Sequence, residues 1–164
     1  MTPTFRAPAF LAVALLAATP AFAQSTATPS PAPAATAQAP STLPDIVLGD
    51  ANAPVTVIEY ASFTCPHCAA FHDESFDDLK AEYVDTGKVK FIQRDVYLDQ
   101  IGLWAGVLAR CGGDDKYYAV SDMLFGKQRQ WLDANSGEQL TANLRKLGTT
   151  AGFTDAQMEA CWAD

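Results

Sequence analysis

The stretch from Val55 to Cys68 constrains the fold more than any other part of the chain. A β-branched apolar run leads into a C-P-H-C tetrapeptide that begins at Cys65, and helix-forming residues follow it. This order predicts a buried strand that delivers two cysteines to the first turn of a helix. Unpaired N–H groups and the helix dipole favour an anion at that position. We therefore expect Cys65 to have a depressed thiol pKa and to form a redox-active pair with Cys68.

The residues between the cysteines fit the same interpretation. Pro66 suits the first helical position, where its missing N–H leaves no partner unsatisfied, and His67 can add positive charge beside the Cys65 sulfur. One alternative is an inert disulfide. Another is a zinc site, because Cys68 and His72 are neighbours on one helix face and could bind one ion together with Cys65. Zinc needs a fourth ligand, and the sequence shows no second paired motif, so we predict no metal and a surface position for His72.

The sequence V-I-E-Y-A-S-F-T-C-P-H-C, followed by F-x-x-E-x-F, resembles the DsbA-like branch of the thioredoxin superfamily. The resemblance implies an α/β thioredoxin-like fold with a helical insertion. It also implies a monomeric thiol:disulfide oxidoreductase without a cofactor, which introduces disulfide bonds into exported proteins by exchange at Cys65 and Cys68. Its substrates would be unfolded exported polypeptides with free cysteines. A DsbB-like membrane quinone reductase would reoxidise the pair.

Glu59 interrupts the apolar strand six residues before Cys65. A charged side chain in such a strand is costly unless it has a partner or a use. The family resemblance implies a buried acid here that helps proton movement at the second cysteine, Cys68. The alternative is a glutamate on an edge strand that reaches solvent.

The periodicity of the apolar residues predicts a strand–helix–strand unit followed by helices. Crossover connections of this kind are right-handed and give a parallel sheet. We expect the strand at 55–60 to be buried on both faces, and the helix at 65–85 to turn Phe76, Leu79 and Tyr83 inward. The remaining predicted segments are strands at 45–49 and 88–98 and, in a helical insertion from about residue 99, helices at 101–109, 116–128, 137–147 and 155–162.

Cys111 and Cys161 both fall in the helical insertion. An even cysteine count in an exported protein suggests pairing, and these two remain if Cys65 pairs with Cys68. Some alphaproteobacterial-type DsbA proteins are similar in having a second, non-catalytic disulfide. Two buried free thiols are the alternative, because cysteine packs well as a small apolar residue.

Residues 1–23 have the pattern of a secretory signal peptide. Arg6 is the only charge, an apolar core follows, and Ala21-Phe22-Ala23 fits a cleavage site. The apolar run is shorter than the ~20 residues that span a membrane, which argues against a membrane anchor. We therefore predict cleavage of this segment and export to the periplasm. Residues 24–43 are rich in Ala, Pro and Thr and predict a disordered linker. The thioredoxin-like domain is then expected over 44–164.

The charge of the chain bears on its ligands, and its proline content bears on which parts of the fold are present. The chain has 11 basic and 19 acidic residues, which does not suit binding to nucleic acid. Every proline lies at or before Pro66. Thioredoxin-like folds resemble one another in a cis-proline loop that faces the active disulfide and in a β-hairpin that follows. We therefore expect both to be missing and the domain to be incomplete; the alternative is a variant that does without the loop.

Other functions remain open at this point. A disulfide isomerase or reductase of the same superfamily would use the same two cysteines. A non-catalytic, chaperone-like module would instead bind polypeptides through apolar surface near Phe63 and Trp104, and it would not need Cys65.

Overall fold

The computed structural model describes residues 43–163. The predicted signal peptide, at 1–23, and all but the last residue of the predicted linker, at 24–43, lie outside the described residues. Within the described part, no helix is both long enough and apolar enough to cross a membrane.

Three strands form one mixed sheet in the described residues. They are β1 (Val47–Leu48), β2 (Val55–Ala61) and β3 (Val89–Asp95), in the spatial order β1-β3-β2. β2 and β3 run parallel, with Val55 opposite Val89 and Ala61 opposite Asp95, whereas β1 is antiparallel to β3. The predicted parallel pair joined by a helix is therefore confirmed.

The prediction that β2 is buried on both faces is wrong. Val55, Ile58 and Tyr60 are exposed, and in the described part of the chain β2 pairs with β3 alone. The central strand is β3, in which Phe91 and Gln93 are almost fully buried. An apolar β-branched run shows that a segment favours extended backbone, but it does not show how many neighbours will cover that segment.

Residues 66–84 form one continuous helix, which we name the long helix. Two of its pieces are π-helical turns, in which each hydrogen bond reaches one residue further than in an α-helix. Its pieces in chain order are α1 (Pro66–Phe71), a π-turn (His72–Phe76), α2 (Asp77–Leu79) and a second π-turn (Lys80–Val84).

The π-turns change which residues of the long helix face the sheet. His72, Phe76 and Val84 are buried, at spacings that are multiples of four, and Tyr83 is exposed. Of the predicted inner stripe, Phe76 is buried and Leu79 is half-buried. The prediction for Tyr83 is wrong, because it rests on a regular α-helical period.

The chain from Gln100 onward is helical, as predicted. One predicted helix, at 116–128, is divided by Lys127 into a long and a short piece. The five helices are α3 (Gln100–Arg110), α4 (Asp114–Gly126), α5 (Gln128–Trp131), α6 (Gly137–Thr150) and α7 (Asp155–Ala163). Their shared core includes the fully buried side chains of Leu108, Leu124, Leu144 and Met158.

A buried polar cluster joins the end of β3 to the helices. The Tyr117 hydroxyl donates to Oδ1 of Asp95 at 2.6 Å, and Nε of Arg110 donates to Oδ2 of the same carboxylate at 3.2 Å. The Asp95 side chain is almost fully buried, so this pairing offsets the cost of removing its charge from water. The contacts hold α3 and α4 against the carboxyl end of the sheet.

Cys111, which follows α3, forms a disulfide with Cys161 in α7, with a Cα–Cα distance of 5.6 Å. The bond closes a loop over a sequence separation of 50 residues. It therefore ties the last described helix to the first helix of the block.

Removing this disulfide should lower stability without changing the Cys65 site. We expect the Cys111→Ala/Cys161→Ala variant to lose up to about 4 kcal/mol of unfolding free energy, the chain-entropy value for such a loop. Denaturant unfolding of the oxidised proteins measures the loss, and the pH profile of Cys65 alkylation serves as the control. An unchanged unfolding midpoint would contradict the prediction.

Candidate active site

Cys65 lies where β2 ends and the long helix begins. It is the N-cap of α1, with an extended backbone (φ −82°, ψ 119°), and Pro66 follows in the first turn. The backbone N–H of Cys68 has the largest effect and lowers the pKa of the Cys65 thiol. Burial opposes it, and the thiol of Cys68 and the N–H of His67 lower the pKa further. These N–H groups have no intrahelical acceptor at a helix start, so an anionic sulfur can take that place.

Cys68 has the opposite environment. Burial raises the pKa of its thiol, and negative charge on Cys65 and Glu59 raises it further, although the backbone of Ser62 acts in the other direction. Both cysteines are half-buried and present as free thiols. When one proton is lost from the pair, these environments favour the thiolate at Cys65.

Glu59 of β2 and His72 of the long helix form a largely buried pair. Nε2 of His72 lies 3.0 Å from Oε2 of Glu59, and the two side chains are 4% and 14% exposed. The alternative of a glutamate that reaches solvent does not hold, because the carboxylate turns toward the long helix although β2 is an edge strand of the described sheet.

The surface position predicted for His72 is wrong. The residue begins a π-turn, and its ring stacks on Phe125 with centroids 4.1 Å apart and planes at 17°. Its Nδ1 is buried and has no hydrogen-bond partner within the described residues. One sequence signal could have placed it correctly, since His72 follows Cys68 by four residues and so shares its helix face.

His67 and Pro66 are exposed at the start of the helix. The backbone N–H of His67 already contributes to the low pKa of Cys65. An additional effect of the His67 ring on that sulfur stays a prediction.

The turn before Cys65 is held by two residues that sequence reasoning missed. Nε2 of Gln128 donates to the carbonyl oxygens of Phe63, at 2.8 Å, and of Cys65, at 2.9 Å. The Thr64 hydroxyl donates to Oδ2 of Asp99 at 2.8 Å. Both partners come from the helical block, and no local pattern connects residues so far apart in sequence.

A cleft of about 390 Å³ lies beside the first turns of the long helix. Asp73 and Glu74 of that helix line it, and so do Lys127 and Arg129 next to or within α5. Pro66 is the lining residue nearest in sequence to Cys65.

The zinc alternative needs Cys65, Cys68 and His72 to face one ion. Within residues 43–163, no group of three or more Cys, His, Asp or Glu side chains is placed to hold an ion. Of the three ligands that the zinc alternative needs, His72 is turned to Glu59 instead.

Comparison with known proteins shows to which family the chain belongs. A family model described as Thioredoxin matches residues 41–164. A Rickettsia bellii protein, named as a candidate protein-disulfide oxidoreductase, is 35% identical over 121 residues, which cover 73% of this chain and 46% of that protein. Disulfide bond formation protein D of Bacillus subtilis is 31% identical over 94 residues, which cover 52% of this chain and 42% of that protein.

Solved structures show the same fold. The crystal structure of Wolbachia pipientis alpha-DsbA1 has a TM-score of 0.65 and 35% identity, covering 71% of this chain and 58% of that one. A protein-disulfide isomerase from Novosphingobium aromaticivorans has a TM-score of 0.67 at 21% identity, with 73% of this chain and 71% of that one covered, so it supports the fold alone. The chain spans about half the length of the curated relatives it matches.

The buried pair can be tested by a double-mutant cycle. We expect Glu59→Leu and His72→Phe to be less destabilising together than the sum of the two single variants, with a coupling of about 1 kcal/mol or more. Each single variant strands a buried polar group, whereas the double variant removes both, and phenylalanine keeps the stacking on Phe125. Denaturant unfolding of the four proteins measures the coupling. Strict additivity would show that the contact contributes nothing to the folded state.

Proposed function

The chain belongs to the DsbA-like branch of the thioredoxin superfamily, and on that premise we propose that it introduces disulfide bonds into exported polypeptides. One observation carries the proposal: the backbone N–H groups at the start of the helix lower the pKa of Cys65, whereas burial raises that of Cys68. A dithiol with this asymmetry has a stabilised reduced form, which makes its disulfide an oxidant.

The reaction begins with the Cys65–Cys68 disulfide. A substrate thiolate attacks the Cys65 sulfur, the bond to Cys68 breaks, and Cys68 leaves with the electron pair. A mixed disulfide now joins the substrate to Cys65. A second substrate thiolate attacks the substrate's own sulfur in that bond and expels Cys65 as a thiolate. The substrate dithiol has lost two electrons and two protons, and the enzyme disulfide has become a dithiol.

The low pKa of Cys65 acts in the second step. A thiol with a lower pKa leaves faster in thiol–disulfide exchange, so expulsion of Cys65 is favoured. We propose that His67 adds to this by placing positive charge near the sulfur, and that Pro66 fixes the first turn from which the N–H groups point.

The raised pKa of Cys68 acts in the first step. When Cys68 leaves as a thiolate it enters a buried site near the charge of Glu59, and both conditions favour its protonation. We propose that Glu59, held by His72, supports this proton movement, and that reoxidation requires the proton to leave again.

The proposed setting is the periplasm. The predicted signal peptide at 1–23 would direct export, and unfolded exported polypeptides with free cysteines would be the substrates. A DsbB-like membrane quinone reductase would return the Cys65–Cys68 dithiol to the disulfide. The membership of the chain in this family supports both partners.

The redox potential separates an oxidase from a reductase. Equilibration with glutathione buffers, followed by mass spectrometry of the Cys65–Cys68 pair, should give a potential well above the about −270 mV of thioredoxin. The stabilised Cys65 thiolate is the reason for the higher value. A potential near that of thioredoxin would contradict the proposal and favour a reductase.

A variant without the Cys65 sulfur separates catalysis from binding. We expect Cys65→Ser to lose oxidation of a reduced two-cysteine peptide, because no mixed disulfide can form. Cys111→Ala/Cys161→Ala is the matched control and should retain the reaction, since it also removes sulfur but leaves the Cys65 turn in place. Full retention of function in Cys65→Ser would indicate a chaperone-like binder instead.

A further inference from the structure

We propose that Gln128 is a positioning residue for the exchange reaction: its amide binds the carbonyl groups on both sides of Thr64 and so fixes the turn that presents Cys65. The inference rests on the proposed function and extends it to the helical block. Gln128 is the first residue of α5, and its sequence separation from Phe63 is 65 residues.

The amide nitrogen of Gln128 binds two carbonyl groups of this turn. Its side-chain nitrogen donates at 2.8 Å to the Phe63 carbonyl and at 2.9 Å to the Cys65 carbonyl, which accounts for both of its protons. The residue is only 4% exposed. A buried primary amide whose two donors bind two carbonyls of one turn has little freedom to move, and it restricts the turn equally.

The backbone N–H and the carbonyl of Cys65 are both hydrogen-bonded. Its N–H donates to the Ser62 carbonyl at 3.0 Å, and its carbonyl also accepts from the N–H of Ala69 at 3.2 Å, a bond of the first helical turn. Gln128 therefore binds the same carbonyl that starts the helix. The direction of the Cys65 side chain relative to the N–H groups of that turn depends on this carbonyl staying in place.

A second contact from the helical block restrains the same turn. Thr64 donates to Asp99, the N-cap of α3, whose other carboxylate oxygen accepts from the N–H of Gly102 at 2.6 Å.

The Phe63 ring also packs on Phe125, with centroids 4.8 Å apart. The helical block thus holds three consecutive residues before the helix, and Gln128 is the contact that reaches Cys65 itself.

The substitution that tests this role is Gln128→Met. Methionine has a similar volume but no donor, so it leaves the Phe63 carbonyl without its amide partner and releases the Cys65 carbonyl from α5. Gln128→Asn is the second variant, because its shorter amide cannot bind both carbonyls from the same backbone. Gln130→Met is the matched control, since Gln130 is exposed on the same helix.

The readout is the pH profile of Cys65 alkylation by iodoacetamide in the reduced full chain, with mass spectrometry to assign the modified cysteine. We expect Gln128→Met to move the midpoint upward by about half a pH unit or more, which is about a threefold change in the thiolate equilibrium. Gln128→Asn should move it in the same direction, and Gln130→Met should match the wild type. A loss of stability alone would not move this midpoint.

The outcomes separate the positioning role from the function. A low wild-type midpoint that neither Gln128 variant changes overturns the positioning role and leaves the proposed function intact. A wild-type midpoint equal to that of a free cysteine overturns both. If Gln128→Met does not fold, the Gln128→Asn midpoint decides: an upward shift supports the role, and an unchanged value overturns it.

Discussion

The structure depends on the contact between one sulfur and the start of one helix. Cys65 occupies the N-cap position of α1, and the backbone N–H groups of Cys68 and His67 lower the pKa of its thiol. Three features must coincide for this: a strand that ends at Ala61, a tight turn, and a proline that suits the first helical position. If any of them moved, the sulfur would lose its partners and Cys65 would ionise as an ordinary cysteine.

The rest of the domain holds that contact in place. The sheet anchors the turn from one side through the parallel pairing of β2 with β3. The helical block anchors it from the other side, through Gln128 and through Asp99. The pair of Glu59 from β2 and His72 from the long helix places a carboxylate near Cys68, so the two cysteines differ in charge preference although they are three residues apart. The helical insertion thus contributes contacts to the active site as well as forming a hydrophobic core.

The local features of the site could be predicted from sequence, because strand, tetrapeptide and helix are contiguous. The parallel strand pair and the helical character beyond residue 99 followed in the same way from periodicity. The spacing of His72 from Cys68 did indicate its buried face, but the exposure of Tyr83 could not be predicted, since the π-turns alter the period that such reasoning assumes. The exposure of Tyr60 depends on which strands lie beside β2, and the role of Gln128 depends on contacts across more than 60 residues. Neither leaves a local pattern.

The most direct test of the central claim is the thiolate absorbance near 240 nm of the reduced protein during a pH titration, with Cys65→Ser as the blank. A folded-state pKa below the ordinary value means that the thiolate forms at lower pH, so the difference signal should have its midpoint below that of a free cysteine, whose pKa is about 8.5. The same signal should be absent in Cys65→Ser until Cys68 ionises at higher pH. A difference signal with its midpoint at or above that of a free cysteine would contradict the account.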